Sequence, residues 1–241
     1  MEQSEYIAYI KSAFERNLMS DLIDGEKAEM FFCLSGLLVE TNKITNLTAI
    51  TDEKDIILKH FIDCAAITRF IPKSSTVIDV GCGAGFPSLP LAICRPDLEI
   101  TSLDSTGKKI DFVDRAIDVL GLEKSLAVCA RAEEFVSQHR EKYNVCVSRA
   151  VARLNILSEL CLPLVTRGGS FIAMKSNKGE DELDEARQCI TLLGGEHSKT
   201  DKLTLSSDCA SIEREIQLFT KVKPTPTRYP RKYAQMLKRP L

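Results

Sequence analysis

The chain has 241 residues, which is enough for one large α/β domain with an additional segment and a substantial core. Its 44% hydrophobic and 27% charged residues are ordinary for a globular protein, and no apolar run is long enough to span a bilayer. The acidic start Met1–Glu5 lacks the pattern of a signal or transit peptide. We therefore expect a cytoplasmic protein that is not inserted in a membrane.

Net charge is −2 but is unevenly distributed along the chain. Residues 221–241 contain seven basic residues and no acidic residue, whereas the preceding chain has 25 basic and 34 acidic residues. A basic segment on an acidic body indicates a local contact with a polyanion.

Nine cysteines are present, but their pattern predicts neither disulfides nor a metal site. No C-x-x-C pair occurs, and the three histidines are scattered. Seven cysteines lie in apolar stretches: Cys33, Cys64, Cys94, Cys129, Cys146, Cys161 and Cys189. We expect reduced, mostly buried thiols and no metal, since a zinc site needs clustered ligands.

Residues from about Glu5 to Phe70 are predicted to be helical. Apolar residues recur at helical spacing from Tyr6, and Glu26–Val39 is a second amphipathic candidate. Asn42–Thr51 is predicted as a polar connection, after which Asp52 caps a third helix. We assign residues 1–71 to an N-terminal helical cap.

Strands and helices alternate after this cap. The predicted strands are Thr76–Val80, Leu98–Leu103, Ser125–Ala130, Asn144–Ser148 and Ser170–Met174. Helices are predicted from near Pro87, Lys108, Arg131, Leu154 and Glu180. Gly168–Gly169 is predicted as the turn before the fifth strand.

Two late strands, near Glu196–Leu203 and Ala210–Val222, have no helix between them and predict an antiparallel edge hairpin. The fold class is therefore α/β, a Rossmann-like core with a seven-stranded, mostly parallel sheet over residues 72–222. Residues 223–241 are predicted to form an extended, partly ordered basic tail.

The first strand runs directly into Gly81, Gly83 and Gly85. A β-branched strand, a glycine turn and a helix form the nucleotide cradle of α/β folds. Phe86 occupies the third-glycine position of the dinucleotide motif, which disfavours a dehydrogenase. The order G-x-G-x-G instead resembles motif I of methyltransferases that use S-adenosylmethionine. A glycine turn that only connects strand to helix is the alternative.

Ligands of open α/β sheets lie beyond the carboxyl ends of the strands. Asp79 suits a cationic amino group, and Asp104 is about 20 residues beyond the glycines, where an acid can hold ribose hydroxyls. Arg131–Glu133 follows the third strand, where adenine usually lies. Arg149 follows the fourth strand and is expected to face the transferred methyl group.

Three of these side chains also have a structural interpretation. Asp104 could cap the next helix, and Glu133 could be a solvated charge in a first helical turn. Arg149 could pair with a surface acid.

The string Asp79–Leu91 resembles the bacterial small-subunit ribosomal RNA guanine-N7 methyltransferases, also called the glucose-inhibited division protein B family. Further matching strings are Asn46–Thr48, His60–Asp63, Leu103–Ser105, Lys108–Lys109, Arg131–Glu133, Ser148–Arg153, Leu162–Leu164 and Tyr229–Lys232. The chain departs from the family pattern in having no tryptophan, and in having Tyr233–Gln235 where Gly-Thr-Pro is usual.

The resemblance implies a cytoplasmic monomer that transfers a methyl group from S-adenosylmethionine to N7 of one guanine in 16S rRNA of the small ribosomal subunit. It carries over five residues as cofactor-binding: Gly81, Phe86, Ala132, Glu133 and Arg149. The glycine turn and the strand ends add Asp79, Gly83, Gly85 and Asp104. Arg149 is also the candidate catalytic residue, because we expect it to shape the methyl-donor pocket.

Further residues are candidates for contacting the RNA. Asn46, His60 and Asp63 are expected on the guanine side, with packing between cap and core as the alternative. Phosphate contacts are expected from Lys108, Arg153, Lys175, Arg228, Arg231 and Lys232, with a solvated face as the alternative for the helical lysine.

Guanine N7 has a lone pair and no proton, so this reaction requires no general base. Catalysis is then expected mainly from orientation, which can contribute about 7–11 kcal/mol. Two other functions remain open from the sequence: a methyltransferase of a small molecule or protein, and a non-catalytic RNA- or protein-binding module with this fold.

Overall fold

The computed structural model describes residues 1–149, 152–175 and 179–241, and its N-terminal part is helical as predicted. The helices are α1 (Gln3–Arg16), α2 (Gly25–Thr45), α3 (Glu53–Ile56) and α4 (Asp63–Ala65), with a π-helical segment, Ile57–Ile62, between the last two. The predicted cap Asp52 accepts a hydrogen bond from the backbone N of Asp55 at 3.0 Å.

Helix α2 is longer than predicted and includes the start of the segment Asn42–Thr51, which we expected to be a polar connection. It ends where Asn46 adopts a left-handed conformation, with φ of 48°. The last residues of this helix are polar apart from Ile44, which is exposed, so they lack the apolar periodicity from which a helix is predicted.

A seven-stranded sheet follows. Its strands are β1 (Thr76–Val80), β2 (Glu99–Asp104), β3 (Ser125–Cys129), β4 (Tyr143–Arg149), β5 (Val165–Lys175), β6 (Gly195–Ser206) and β7 (Ser211–Lys221). The strand order is β3-β2-β1-β4-β5-β7-β6, in which β1 to β5 are parallel and β7 is antiparallel to both neighbours. The predicted fold class is confirmed.

Apolar residues on the two sides of each central strand belong to two different hydrophobic clusters. Val77 and Val147 pack with the N-terminal helices, whereas Ile78 and Cys146 pack in the second cluster. The connecting helices are α5 (Ser88–Cys94), α6 (Gly107–Leu120), α7 (Ala132–His139), α8 (Leu154–Cys161) and α9 (Gly179–Leu192). Both faces of the sheet are therefore covered, as expected for parallel strands.

The predicted turn at Gly168–Gly169 is wrong, because β5 runs through both glycines. Gly168 has φ of 81°, and a Cβ atom on Gly169 would come within 2.5 Å of the backbone O of Asn144. The β4–β5 register shifts between Tyr143 and Val145. The two glycines thus form a bulge with close backbone approach, which a sequence pattern cannot distinguish from a turn.

The β6–β7 hairpin is bonded to the N-terminal helices. Asp208 in its turn accepts hydrogen bonds from Tyr9 Oη at 2.6 Å and from Lys54 Nζ at 2.8 Å. The side chain of Asn17 donates to the backbone O of Ser206 at 2.8 Å and accepts from its N at 2.9 Å. These bonds join the first and last thirds of the chain.

The basic tail is more ordered than predicted, since it ends in helix α10 (Tyr233–Lys238). Met236 and Tyr229 are buried in the second cluster, and Arg231 makes an ion pair with the buried Glu159. These partners lie far away in the sequence, so the local composition gave no sign of them.

All nine cysteines lie within the described residues and carry free thiols, but Cys129 is exposed rather than buried as predicted. In the part of the chain that the structure describes, no helix is long and apolar enough to cross a membrane. The same residues contain no cluster of three or more His, Cys, Asp or Glu side chains suited to a metal ion.

Candidate active site

Two neighbouring cavities lie at the carboxyl ends of the parallel strands. The larger has a volume of about 820 Å³ and the smaller about 190 Å³, and Gly81 and Asp104 line both. Their combined size is at the upper end of the range for small-molecule sites, about 300–1,000 Å³. Because they share a wall, one elongated ligand can occupy both.

The glycine loop forms part of this shared wall. The backbone N atoms of Gly81 and Cys82 donate to the O of Leu103 at 2.8 and 3.1 Å, which ties the loop to β2. A Cβ atom on Gly83 would meet nothing within 4 Å, whereas one on Gly85 would come within 2.5 Å of Leu89 Cδ1. Gly81 and Gly83 border the larger cavity, but Gly85 does not, and the space it leaves is filled by α5.

Gly85→Ala is expected to lower the free energy of unfolding by about 2 kcal/mol, because its φ of 80° is strained for alanine and Leu89 must shift. Gly83→Ala is the matched control, with a φ of 59° and open space around the new methyl group. It should cost about 1 kcal/mol. Urea unfolding of both variants measures this difference, and equal losses would contradict the packing role of Gly85.

Asp79 lies beneath the loop and lines neither cavity, contrary to its predicted direct contact with an amino group. Its Oδ2 accepts a hydrogen bond from the backbone N of Ser88 at 3.0 Å, which holds the start of α5. Its Oδ1 has no hydrogen-bond partner within the described residues, and burial raises the pKa of this carboxyl group to about 7.

Asp104 holds the backbone on both sides of the site. Its Oδ1 accepts from the backbone N of Thr106 at 2.8 Å, just before α6, and its Oδ2 accepts from the N of Gly83 at 3.0 Å. Each carboxylate oxygen can accept more than one hydrogen bond. Asp104 can therefore accept further donors from a ligand in either cavity.

The smaller cavity is walled largely by apolar side chains. Ala132 and Glu133, predicted to bind the cofactor, lie in the first turn of α7 and line this cavity together with Leu103 and Leu160. Tyr233 of the tail also lines this cavity. Sequence reasoning missed this role of Tyr233, although it had marked the residue as a departure from the family pattern.

Arg149 enters the larger cavity from the end of β4 and is bonded on three sides. Its Nη1 donates to the backbone O of Lys59 at 3.0 Å and to Asp63 Oδ2 at 3.2 Å. Its Nη2 lies 3.1 Å from His60 Nδ1, and its guanidinium carbon lies 5.4 Å from the ring centroid of Phe86. Its acidic partner is therefore a buried residue, not the surface acid of the alternative interpretation.

Asp63 joins two arginines below this cavity. It is 1% exposed, and its Oδ1 accepts from Arg214 Nε at 2.9 Å while its Oδ2 accepts from Arg149. The two guanidinium groups offset the cost of burying the carboxylate. Asp63 and His60, which we expected on the guanine side, both line this cavity. Asp63 also joins the N-terminal helices to the sheet, which is the alternative role considered for it.

His60 is held in one tautomer by its neighbours. A guanidinium group can only donate hydrogen bonds, so Nδ1 of His60 accepts from Arg149. The ring proton is then on Nε2, which lies 3.0 Å from Thr48 Oγ1. The ring stacks on Phe86 with a centroid distance of 4.3 Å, and burial, helped by the charge of Arg149, lowers the His60 pKa to about 3.

His60 is therefore expected to make stability depend on pH. In the unfolded chain its ordinary pKa is 6.5, so between pH 6.5 and 3 the unfolded state binds a proton that the folded state does not. This contribution falls as the pH is lowered, by about 1.4 kcal/mol per pH unit. Asp79 acts in the opposite sense, because its raised pKa favours the folded state below pH 7.

The contribution of His60 is isolated by comparing the wild type with His60→Gln, since Asp79 is common to both. The free-energy advantage of the wild type over the variant should shrink as the pH is lowered from 7 to 4. Chemical unfolding at each pH measures this, and parallel curves would contradict the assignment.

Several residues predicted to contact RNA lie outside the two cavities or are already paired with a carboxylate. Asn46 is exposed at the end of α2 and does not line either cavity. Lys175 is 8% exposed, and its Nζ donates to Glu182 Oε2 at 2.7 Å. Arg231 donates to the buried Glu159, so its charge is largely neutralised.

Other basic residues remain on the surface. Lys108, Arg228 and Lys232 are exposed, and Arg153 is an exposed partner of Glu185. Lys109, the neighbour of Lys108, lines the larger cavity.

Sequence reasoning also missed Thr48 and Arg214 in the lining of this cavity. Thr48 belongs to the matching string Asn46–Thr48, in which the asparagine was the predicted contact. Arg214 lies in β7, remote from the motifs, and no sequence signal indicated its pairing with Asp63.

Comparisons with known proteins identify the family of the chain. The family model described as GidB, rRNA small subunit methyltransferase G, matches residues 27–211. The ribosomal RNA small subunit methyltransferase G of Staphylococcus aureus (strain bovine RF122 / ET3-1) is 43% identical over 230 residues, 94% of each chain. That of Listeria monocytogenes serotype 4b (strain F2365) is 46% identical over 200 residues, 81% of this chain and 83% of the relative.

Among solved structures, TYW2 of M. jannaschii, crystallised in complex with AdoMet, superposes with a TM-score of 0.56. It is 10% identical, and the match covers 71% of this chain and 78% of that one, so the likeness concerns the fold alone. The family expected from the sequence motifs is confirmed by the family model and the relatives. The chain belongs to the GidB family, that of the ribosomal RNA small subunit methyltransferase G.

Proposed function

We propose that the protein transfers the methyl group of S-adenosylmethionine to N7 of a guanine in 16S rRNA of the small ribosomal subunit. Family membership supports the reaction class. The main structural support is that the glycine loop and His60 line the same cavity. Both ring nitrogens of His60 are hydrogen-bonded, so this histidine has no free lone pair to accept a proton.

The residues present fit S-adenosylmethionine. The apolar walls of the smaller cavity, with Ala132 and Tyr233, suit adenine. Asp104 lines both cavities and can accept the ribose hydroxyls. The open space beside Gly83 leaves room for the methionine part, and Asp79 supports the loop from below.

When bound, this cofactor supplies a methyl group on a positively charged sulfur, which makes the carbon electrophilic. Guanine N7 attacks with its own lone pair and loses no proton. His60 is neutral, and both of its ring nitrogens are already hydrogen-bonded, so it is unsuited to act as a base. Arg149, His60 and Phe86 are assigned to shaping the cavity so that the two reacting groups are aligned.

The exposed basic residues Lys108, Arg153, Arg228 and Lys232 are assigned to RNA phosphates. Such contacts give salt-sensitive affinity without sequence specificity. We assign residues 1–71 to a helical cap, 72–222 to the methyltransferase core and 223–241 to the tail. The protein is proposed to act in the cytoplasm as a monomer.

The proposal is tested by incubating the purified protein with methyl-labelled S-adenosylmethionine and, separately, naked 16S rRNA, small subunits, total protein and a metabolite extract. All should come from a strain that lacks the enzyme. Label in a single guanine, identified as 7-methylguanosine by mass spectrometry, is the expected result.

The other fractions test the alternatives. Label found only in metabolites or protein would contradict the proposal that RNA is the substrate. It would favour a methyltransferase that acts on a small molecule or a protein. Calorimetry that detects no binding of S-adenosylmethionine would instead favour a non-catalytic module.

A further inference from the structure

Thr48 lines the larger cavity on a segment that is fixed in place. The side chain of Asn42 donates to the backbone O of Thr48 at 2.8 Å and accepts from its backbone N at 2.9 Å. This pair of bonds brackets the connection after α2, so the Thr48 hydroxyl has a defined position next to His60.

The neighbours of this hydroxyl group determine whether it accepts or donates hydrogen bonds. A threonine hydroxyl has two acceptor lone pairs and one donor hydrogen. His60 carries its proton on Nε2, since Nδ1 accepts from Arg149, and therefore donates to Thr48 Oγ1 at 3.0 Å. The backbone N of Ile50 donates to the same oxygen at 3.1 Å.

Both acceptor positions of Thr48 are thus filled, and its hydrogen is left to donate. Among the described residues, none accepts a hydrogen bond from this hydroxyl group. Since Thr48 lines the cavity, this hydrogen is available to water or to a ligand that displaces water there. A series of hydrogen bonds thus runs from Asp63 through Arg149 and His60 to Thr48. It leaves the Thr48 hydroxyl group as a hydrogen-bond donor at the cavity.

The proposed function provides a matching acceptor. The edge of guanine that carries N7 also carries O6, and both are acceptors, whereas adenine has the donor N6–H₂ in place of O6. A donor on N7 would occupy the lone pair that must attack the methyl group. A donor on O6 leaves N7 free and disfavours adenine, because two donors would then face each other.

We propose that Thr48 is a specificity-determining residue whose hydroxyl group donates to O6 of the target guanine. This inference rests on the proposed function and assigns to Thr48 a direct contact with the substrate. Arg149 and His60 act on it as positioning residues, because they fix which atom donates.

The test compares two enzymes on two substrates. Thr48→Val removes the hydroxyl group at nearly constant shape, and Thr48→Ser retains it. The RNA carries either guanine or 2-aminopurine at the modified position, and the latter keeps N7 but has hydrogen instead of O6. For each combination of enzyme and RNA, kcat/KM is measured for methylation and the RNA affinity is measured by competition binding. The affinity for S-adenosylmethionine and the melting temperature are the controls.

Thr48→Val should lower kcat/KM and RNA affinity on guanine by about tenfold, the factor expected for one hydrogen bond, and leave both unchanged on 2-aminopurine. Thr48→Ser should behave as the wild type. An equal loss on both substrates, or no loss on guanine, would overturn the inference, since a purely structural role makes no distinction between them. A wild type that methylates no guanine in the RNA would instead overturn the proposed function itself.

Discussion

Arg149→Ala is expected to reduce kcat/KM for RNA methylation by at least about a hundredfold, the scale of loss caused by small misplacement of reacting groups. The substitution removes the donor that fixes the tautomer of His60 and the cation above Phe86. It also leaves the buried Asp63 with Arg214 as its remaining cationic partner. The free energy of unfolding should fall by about 3 kcal/mol, since a buried ion pair is broken on one side.

Two further variants separate these effects. Arg149→Lys keeps a positive charge near Asp63 and should recover part of the stability, but it cannot reproduce the planar arrangement that reaches both His60 and Asp63. Arg153→Ala, in an exposed ion pair nearby in sequence, is the control and should keep stability within about 0.5 kcal/mol. Normal turnover and normal binding of S-adenosylmethionine by Arg149→Ala would remove Arg149 from the active site.

Arg231→Ala is expected to destabilise the protein by about 3–5 kcal/mol and to weaken S-adenosylmethionine binding by about tenfold. Glu159 is 1% exposed and accepts three hydrogen bonds from Arg231: two to Oε1, both at 2.8 Å, and one to Oε2 at 2.6 Å. Alanine removes both side-chain donors and leaves a buried carboxylate largely unpaired. The loss of affinity follows because Arg231 anchors the segment that places Tyr233 in the lining of the smaller cavity, to which we assign adenine.

Two control variants distinguish the loss of the Arg231–Glu159 ion pair from the loss of one positive charge in the tail. Lys232→Ala removes a neighbouring exposed charge and should leave both quantities nearly unchanged. The double variant Glu159→Met with Arg231→Met should regain much of the stability, because no carboxylate then remains unpaired. Thermal unfolding and calorimetry measure both effects. A wild-type affinity in Arg231→Ala would show that the tail does not shape the cofactor cavity.

The alternation of strands and helices was predictable because each element carries its own periodicity. Buried β-branched strands such as Thr76–Val80 and stop signals such as Gly121 are local features of the sequence. The same locality explains the failure at Gly168–Gly169, where glycine serves a bulge between strands instead of a chain reversal.

The lining of the candidate site was predictable where a motif encodes backbone geometry and less so where pairing of side chains decides. Gly81, Gly83 and Asp104 line the larger cavity because the turn and the strand end fix their positions. Arg231 pairs with Glu159, 72 residues away, and nothing in the sequence near Arg231 indicates this partner. Lys175 pairs with Glu182, which is only seven residues away, but no helical or strand spacing in the sequence brings the two together.

The bonds between the β6–β7 hairpin and the N-terminal helices have a consequence for biosynthesis. Tyr9 leaves the ribosome early, but its partner Asp208 follows 199 residues later. Contacts of such separation form late, because a long loop must close before they contribute. The hydrogen bonds between the first helices and the hairpin therefore form late in synthesis, whereas the apolar faces of these helices can pack earlier, as Phe14 does against Phe31.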